Sequence, residues 1–498
     1  MAARETEIIE KCEVKGNGAA SVCGSAVKLK RELGLFSAVN LILGVMIGSG
    51  IFVSPASALE HSGSVGLCLV IWTVSGVISL LGALSFAELG TVVGKSGAEY
   101  AYFQEAFGKT HRYWGPLPSF ICAWIYVVIL RPAEVAIIVM TFAEYAIQPF
   151  TPNLMQDYKD IAIKLASIAA LFIMTYINIT SVKLFVKVQN IFGVCKVFAC
   201  LIVIGGGIYE IAKGNTAHLD KGFQGSTSSP GGIALALYSG LWAYDGWNSV
   251  TVVTEEIINP GVNVPLSISI AVPLITALYV FMNVAYMTVL SYAEMTSVPA
   301  VAVAFGTRVL GPASFLIPLG VAIATFGCAM SVQFGVTRVC YTAARGGHML
   351  EVFSYVNMKR LTPAPAVAFQ ALLTTIFIVV GNIKTLIEFA SWFLWFFYGL
   401  AMVALLVLRK TQAEKIRPYR VPTPVPCFVL LVAIFLSILP IVHDPSVKYL
   451  MAIGFIVLGV AVYTFFVYHK KTPSSLLRKF TFLTQVLLES VPPSNHED

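Results

Sequence analysis

The chain is cut by its charges into a row of long apolar blocks, and blocks of this length have no counterpart in a protein surrounded by water. About 20 helical residues cross a hydrocarbon core of roughly 30 Å. Blocks of that order fall near 34–58, 66–88, 118–148, 160–180, 187–209, 232–254, 266–291, 314–342, 364–381, 386–409, 425–442 and 447–468. Of the 498 residues, 57% are hydrophobic and 12% charged, with a mean hydropathy of +0.80, so there are too few charges to coat a water-soluble body of this size. The expected class is an all-α membrane protein of twelve transmembrane helices.

Basic residues set the orientation. Lys28, Lys30 and Arg31 precede the first block, and Lys95, Lys109 and Arg112 follow the second. Arg345, Lys359 and Arg360 follow the eighth, and Arg409, Lys410, Lys415, Arg417 and Arg420 follow the tenth. With twelve spans these all share one side, which the excess of Lys and Arg makes cytoplasmic. The net charge of +7 is therefore a topology signal and implies no nucleic-acid partner. Both termini are expected in the cytoplasm, as a tail over 1–33 and a second over 469–498, flanking a transmembrane domain over 34–468. The second tail is amphipathic between Ser474 and Val491, with Leu476, Leu477, Phe480, Phe482, Leu483, Leu487 and Leu488 set against Arg478 and Lys479, a pattern suited to the lipid surface.

Two blocks are interrupted at similar depth, the first at Gly48-Ser49-Gly50 and the sixth at Tyr244-Asp245-Gly246. Five spans separate them, the spacing of a five-plus-five inverted repeat with broken first and sixth helices and two helices appended. Glycine lets a helix unwind. The carbonyls freed at Met46 and Ile47 can then accept from an ammonium, while the restarted half-helix after Gly50 and the Ser49 hydroxyl can donate to a carboxylate. Taken singly, small residues in a membrane helix are as well explained by close packing. Two breaks at matching positions favour a site for a zwitterion, an amino acid, formed by Met46, Ile47, Gly48, Ser49 and Gly50.

Asp245 lies at a depth where an unpaired charge costs about 2.5 kcal/mol or more, so it needs a partner. A cationic substrate side chain is one, with Trp242 closing over it; Arg131, in the third block, is the other and would make Asp245 a structural counter-ion. Arg131 also stands three residues before Glu134, the spacing of an ion pair within one helix. Lys196 is a lone ammonium in the fifth block. Buried near the first break it would stand where a sodium ion sits in a sodium-coupled carrier; the alternative is a side chain reaching for the interface.

Catalytic chemistry finds no support. Gly90-Thr91-Val92-Val93-Gly94-Lys95-Ser96 is one residue short of a phosphate-binding loop and ends a span instead of opening a helix after a strand. No metal-ligand or nucleophile grouping is visible, no cofactor is expected, and the nine cysteines form no disulfide framework. The sequon Asn178-Ile179-Thr180 falls at the cytoplasmic end of a span and is discounted.

The stretch Ile47-Gly48-Ser49-Gly50-Ile51-Phe52-Val53-Ser54-Pro55, with Gly82 to Gly90, Lys95-Ser96-Gly97, Val253-Thr254-Glu255-Glu256, Asn283-Val284-Ala285-Tyr286 and Leu361 to Ala366, resembles the light subunits of heteromeric amino acid transporters, in the amino acid-polyamine-organocation superfamily. The resemblance runs from about Lys28 to the C-terminus. Trp242 to Asn248 and Gly347-His348-Met349-Leu350 look most like the branch that exchanges cystine and dibasic amino acids for neutral ones. Arg131-Pro132 is similar to the cystine/glutamate branch, but Leu394 stands where that branch carries a second arginine, which argues against glutamate. The segment Tyr145–Asp160 lacks the cysteine by which such subunits bond a heavy-chain glycoprotein, so any heavy chain is expected to associate without the disulfide. At Gly346 relatives carry an acid.

These features together imply a sodium-independent amino acid exchanger of the plasma membrane, working by alternating access on cationic and neutral L-amino acids and on cystine. A large-neutral exchanger with a structural Asp245, and a non-transporting sensor or accessory protein, are the alternatives.

Overall fold

A computed structural model describes residues 33–492 other than 96, 148–155, 255–256, 299, 381–382, 444–446 and 471–473. The tail expected over 1–33 therefore lies, but for Leu33, outside the described residues.

The chain is helical almost throughout. In order the helices are α1 (Leu35–Met46), α2 (Gly50–Ser62), α3 (Val65–Val93), α4 (Glu99–Phe107), α5 (Leu117–Ile125), α6 (Arg131–Ile147), α7 (Gln156–Thr180), α8 (Val182–Ala212), α9 (Pro230–Ala243) and α10 (Ser249–Val252). There follow α11 (Pro260–Val289), α12 (Tyr292–Ser297), α13 (Val301–Val309), α14 (Leu316–Arg345), α15 (Ala364–Val380), α16 (Ile383–Thr411), α17 (Pro424–His443), α18 (Val447–Val462) and α19 (Ser474–Leu488). Among the described residues eight helices are long and apolar enough to cross a membrane, or nine if α1 and α2, which meet at 50°, form one broken span. α15 and most of α17 are shorter apolar helices.

Local chemistry sets the helix ends. Ser64, Ser181 and Ser229 each accept from a backbone N–H of the first turn that follows, at Leu67, Leu184 and Gly232. Gly63 and Gly94 close α2 and α3 in the left-handed conformation. Gly94 is thus a helix stop, which accounts for the near-miss to a phosphate loop.

The core lies between the helices, and the outer faces are apolar as well. Phe172, Ile173 and Tyr176 of α7 and Val194, Phe198 and Ile208 of α8 are exposed, an arrangement that suits lipid and not water. Inside, helices approach through small residues: a Cβ at Gly207 would collide with Ala285, and one at Gly320 would stand 2.7 Å from the Ala199 methyl. Asn178 is buried and donates to Gln333 at 2.8 Å, so the sequon asparagine serves packing.

At one end of the bundle Glu88 of α3 is wholly buried. It accepts from Arg409 of α16 at 2.9 Å and 2.5 Å and from the Val421 backbone at 2.8 Å, with Arg417 3.4 Å away. Near the end of α14 the backbone turns at Gly346 and Gly347. A Cβ at Gly346 would collide with the Tyr100 hydroxyl, so Tyr100 would have to shift to admit a side chain here. His348 follows, buried and set edge-on to Tyr100 at 5.6 Å and Phe120 at 6.0 Å. Beyond it, Val356–Asn357 pairs antiparallel with Ser490–Val491, fastening the end of α19 to this loop.

Candidate substrate-binding site

Helix α1 stops at Met46 and α2 restarts at Gly50. In between, the backbone N–H groups of Ser49, Gly50 and Ile51 donate to no described residue, and no described donor reaches the carbonyls of Ile47 and Gly48. The Met46 carbonyl, expected to be open, is already occupied by the Gly48 N–H at 2.8 Å and the Tyr279 hydroxyl at 2.6 Å. Nearby, the Gly44 carbonyl accepts from Lys196 at 2.5 Å and the Val45 carbonyl from Cys328 at 3.0 Å. The open acceptors have moved one residue along, because three side chains from α8, α11 and α14 take the carbonyls at the end of α1.

The second break follows Ala243, where α9 ends, and Gly246 has φ +100, a conformation that favours glycine. The two breaks touch. A Cβ at Gly50 would strike the Ala243 backbone, and one at Gly246 would strike Val45. Tyr279 of α11 spans them, its hydroxyl lying 3.2 Å from the Ala243 carbonyl as well as beside Met46.

The charges gather next to this junction. Arg131, at the start of α6 just after a wider π turn over Tyr126–Leu130, places Nη1 2.5 Å from Glu134 and 3.4 Å from Asp245. Asp245 also accepts from the Tyr398 hydroxyl at 2.5 Å. All three charged side chains are nearly buried. Lys196 is fully buried, so the reading as a side chain reaching for the interface is excluded; its ammonium holds the end of α1.

Two adjoining cavities open here. One is walled by Met46, Gly48, Ser49, Gly50, Glu134, Trp242, Asp245 and Cys328. The other is walled by Trp242, Asp245, Trp247, Ser391, Trp395 and Tyr398. Both are small in this state of the protein, each with room for about one water molecule. Trp242 and Asp245 border both. The structure thus brings Met46, Gly48, Ser49, Gly50, Trp242, Asp245 and Arg131 together, with Ile47 buried behind the break and Lys196 supporting it. Sequence reasoning missed Tyr279, Tyr398, Cys328, Ser391 and Trp395. Among the described residues no three His, Cys, Asp or Glu side chains converge as a metal site.

Comparison with known proteins agrees with this architecture. The amino acid permease family matches residues 33–462. The chain is 44% identical over 466 residues to the b(0,+)-type amino acid transporter 1 of Homo sapiens, covering 93% of this chain and 94% of that protein. It is 38% identical over 471 residues to the Homo sapiens cystine/glutamate transporter, covering 94% and 92%. With the large neutral amino acids transporter small subunit 2 of Mus musculus it shares 37% identity over 482 residues, covering 95% and 88%. With its broken apolar helices and a family match over most of its length, this chain belongs to the amino acid permease family, whose members move solutes and do not transform them.

Proposed function

We propose that the chain is a sodium-independent amino acid exchanger that takes cationic and neutral L-amino acids, and cystine, by alternating access. One observation carries this. The N–H groups of Ser49, Gly50 and Ile51, and the carbonyls of Ile47 and Gly48, without partners among the described residues, lie at the break whose glycines wall the cavity reached by Asp245. A carboxylate suits the start of α2, and an ammonium suits the carbonyls before it. Arg131, Glu134 and Asp245 together carry one positive and two negative charges, an imbalance that a cationic side chain removes. The b(0,+)-type name of relatives at 42–44% identity points the same way. Lys196 fills the place of a coupling sodium ion.

The remaining features follow from this reading. The bent pair α1–α2, the eight long helices, α15, α17 and the broken α9–α10 account for twelve spans, with both termini cytoplasmic, in a five-plus-five repeat with two helices appended. The plasma membrane is the proposed location. A heavy-chain glycoprotein is the proposed partner, held without a disulfide, since the segment 145–160 contains no cysteine. One contact favours a second reading: Arg131 lies 3.4 Å from Asp245, as in a neutral exchanger whose Asp245 is structural.

Purified protein in liposomes separates these. Labelled arginine should enter only vesicles preloaded with amino acid and should be indifferent to replacement of sodium by choline. Asp245→Asn should reduce arginine uptake at least tenfold more than leucine uptake. An equal loss of both makes Asp245 structural, and no exchange at all makes the chain a sensor or accessory protein.

A further inference from the structure

The space around Asp245 continues past the glycine breaks into the second cavity, and its lining is unusual for a site meant to hold an ordinary ammonium or guanidinium. Four aromatic side chains, Trp242, Trp247, Trp395 and Tyr398, line it with one carboxylate, Asp245, and the apolar Leu241 and Leu394. The rings brace one another: Trp247 and Tyr398 lie 4.7 Å apart, and Trp395 meets Tyr398 edge-on at 5.7 Å. Both carboxylate oxygens already have donors, Tyr398 at 2.5 Å on Oδ1 and Arg131 at 3.4 Å on Oδ2. Apart from these, Ser391 is the polar side chain in the wall, and it is buried.

A lysine ammonium brings three N–H donors and a guanidinium five. A wall of aromatic side chains with few free acceptors leaves several of them without partners, which is costly once water is excluded. Methylation replaces each such donor by apolar surface and leaves the charge in place. A methylated cation sheds water more easily and is held by ring faces and a nearby negative charge, the combination that recognises quaternary ammonium groups.

We infer that this cavity selects amino acids whose side-chain cation carries methyl groups, with Trp395 as the residue that sets the preference. The inference rests on the reading of Asp245 as the partner of a cationic substrate. It assigns Trp242, Trp247, Trp395 and Tyr398 to the methyl groups and Asp245 to the charge.

The test is competition against labelled arginine in liposomes containing the purified full chain. Nε-trimethyllysine should inhibit at a lower concentration than lysine, and asymmetric dimethylarginine at a lower concentration than unlabelled arginine; methylated probes weaker than their parents overturn the inference. Trp395→Leu should raise the concentration of trimethyllysine needed roughly tenfold and that of lysine less than threefold, with Trp395→Phe close to wild type. A parallel rise for both probes in Trp395→Leu also overturns it. Where Trp395→Leu fails to fold, the wild-type comparison decides. Arginine carried with the methylated probes excluded removes only this inference, whereas no arginine exchange removes the reading beneath it.

Discussion

Tyr279 directs its hydroxyl at the Met46 carbonyl at 2.6 Å, and so joins the end of α1 to the end of α9, whose Ala243 carbonyl lies 3.2 Å from the same oxygen. Tyr279→Phe keeps the ring and removes the donor. Leaving a buried carbonyl short of a partner costs about 1–3 kcal/mol. The melting temperature of the detergent-solubilised protein should fall by several degrees, and exchange should slow about tenfold as the breaks lose their register. Melting and exchange unchanged from wild type would exclude the bridge as a support.

Glu134 shares Arg131 with Asp245, and at 2.5 Å against 3.4 Å it is the nearer partner. Glu134→Gln removes that competition, so Arg131 turns to Asp245 and cancels the charge offered to a cationic substrate. The half-saturating concentration of arginine should rise roughly tenfold, about 1.4 kcal/mol, while that of leucine moves less than threefold. Uptake curves for the two substrates read the split, and an equal shift in both would count against Asp245 as a selector.

Glycine at 346 leaves room for the Tyr100 hydroxyl. Gly346→Asp should destabilise the protein by about 1–3 kcal/mol through overpacking. Tyr100→Phe takes away the colliding oxygen and should recover a large part of that loss in the double variant. Thermal melting of the four proteins of this cycle is the measurement; additive losses would show that the two residues do not meet.

His348 lies in the loop after α14, and burial pulls its imidazole down from 6.5 to about 4. The folded protein therefore resists the proton that the unfolded chain accepts. Stability contributed by neutral His348 is complete above about pH 6.5 and is lost as pH falls toward 4. Melting temperatures between pH 7 and pH 4 should fall less steeply for His348→Gln than for wild type. Identical slopes would mean that this loop opens without reference to the histidine.

The helix breaks were legible in the sequence because their causes are local. Three small residues at 48–50, and an acid beside glycine at 245–246, stand out against apolar neighbours whatever the rest of the chain does. The pair Arg131–Glu134 was legible for the same reason, since helix spacing alone brings i and i+3 together. The burial of Lys196 could be read from its surroundings, but its partner could not, because the Gly44 carbonyl becomes available only when α1 ends two residues later. Tyr279 and Tyr398 carried no signal at all. Each is one tyrosine among apolar residues, and what distinguishes Tyr279 from Tyr286, two turns further along the same face of α11, is the distant chain packed against it. The Arg131–Asp245 contact was one of two open possibilities, and its distance is compatible with release to a substrate.

The ammonium of Lys196 is tethered to α8 by its own side chain and buried against the Gly44 carbonyl. A diffusible ion in that place would bind from one solution and leave to the other, and its gradient would enter the energetics of every turnover. A tethered charge never leaves, so on the proposed cycle no ionic gradient is coupled through this position. Such a carrier comes to rest when each solute it handles has reached the same inside-to-outside ratio, corrected for its net charge. It is an equaliser of pools: what it concentrates is decided by whichever amino acid the cell already holds in excess.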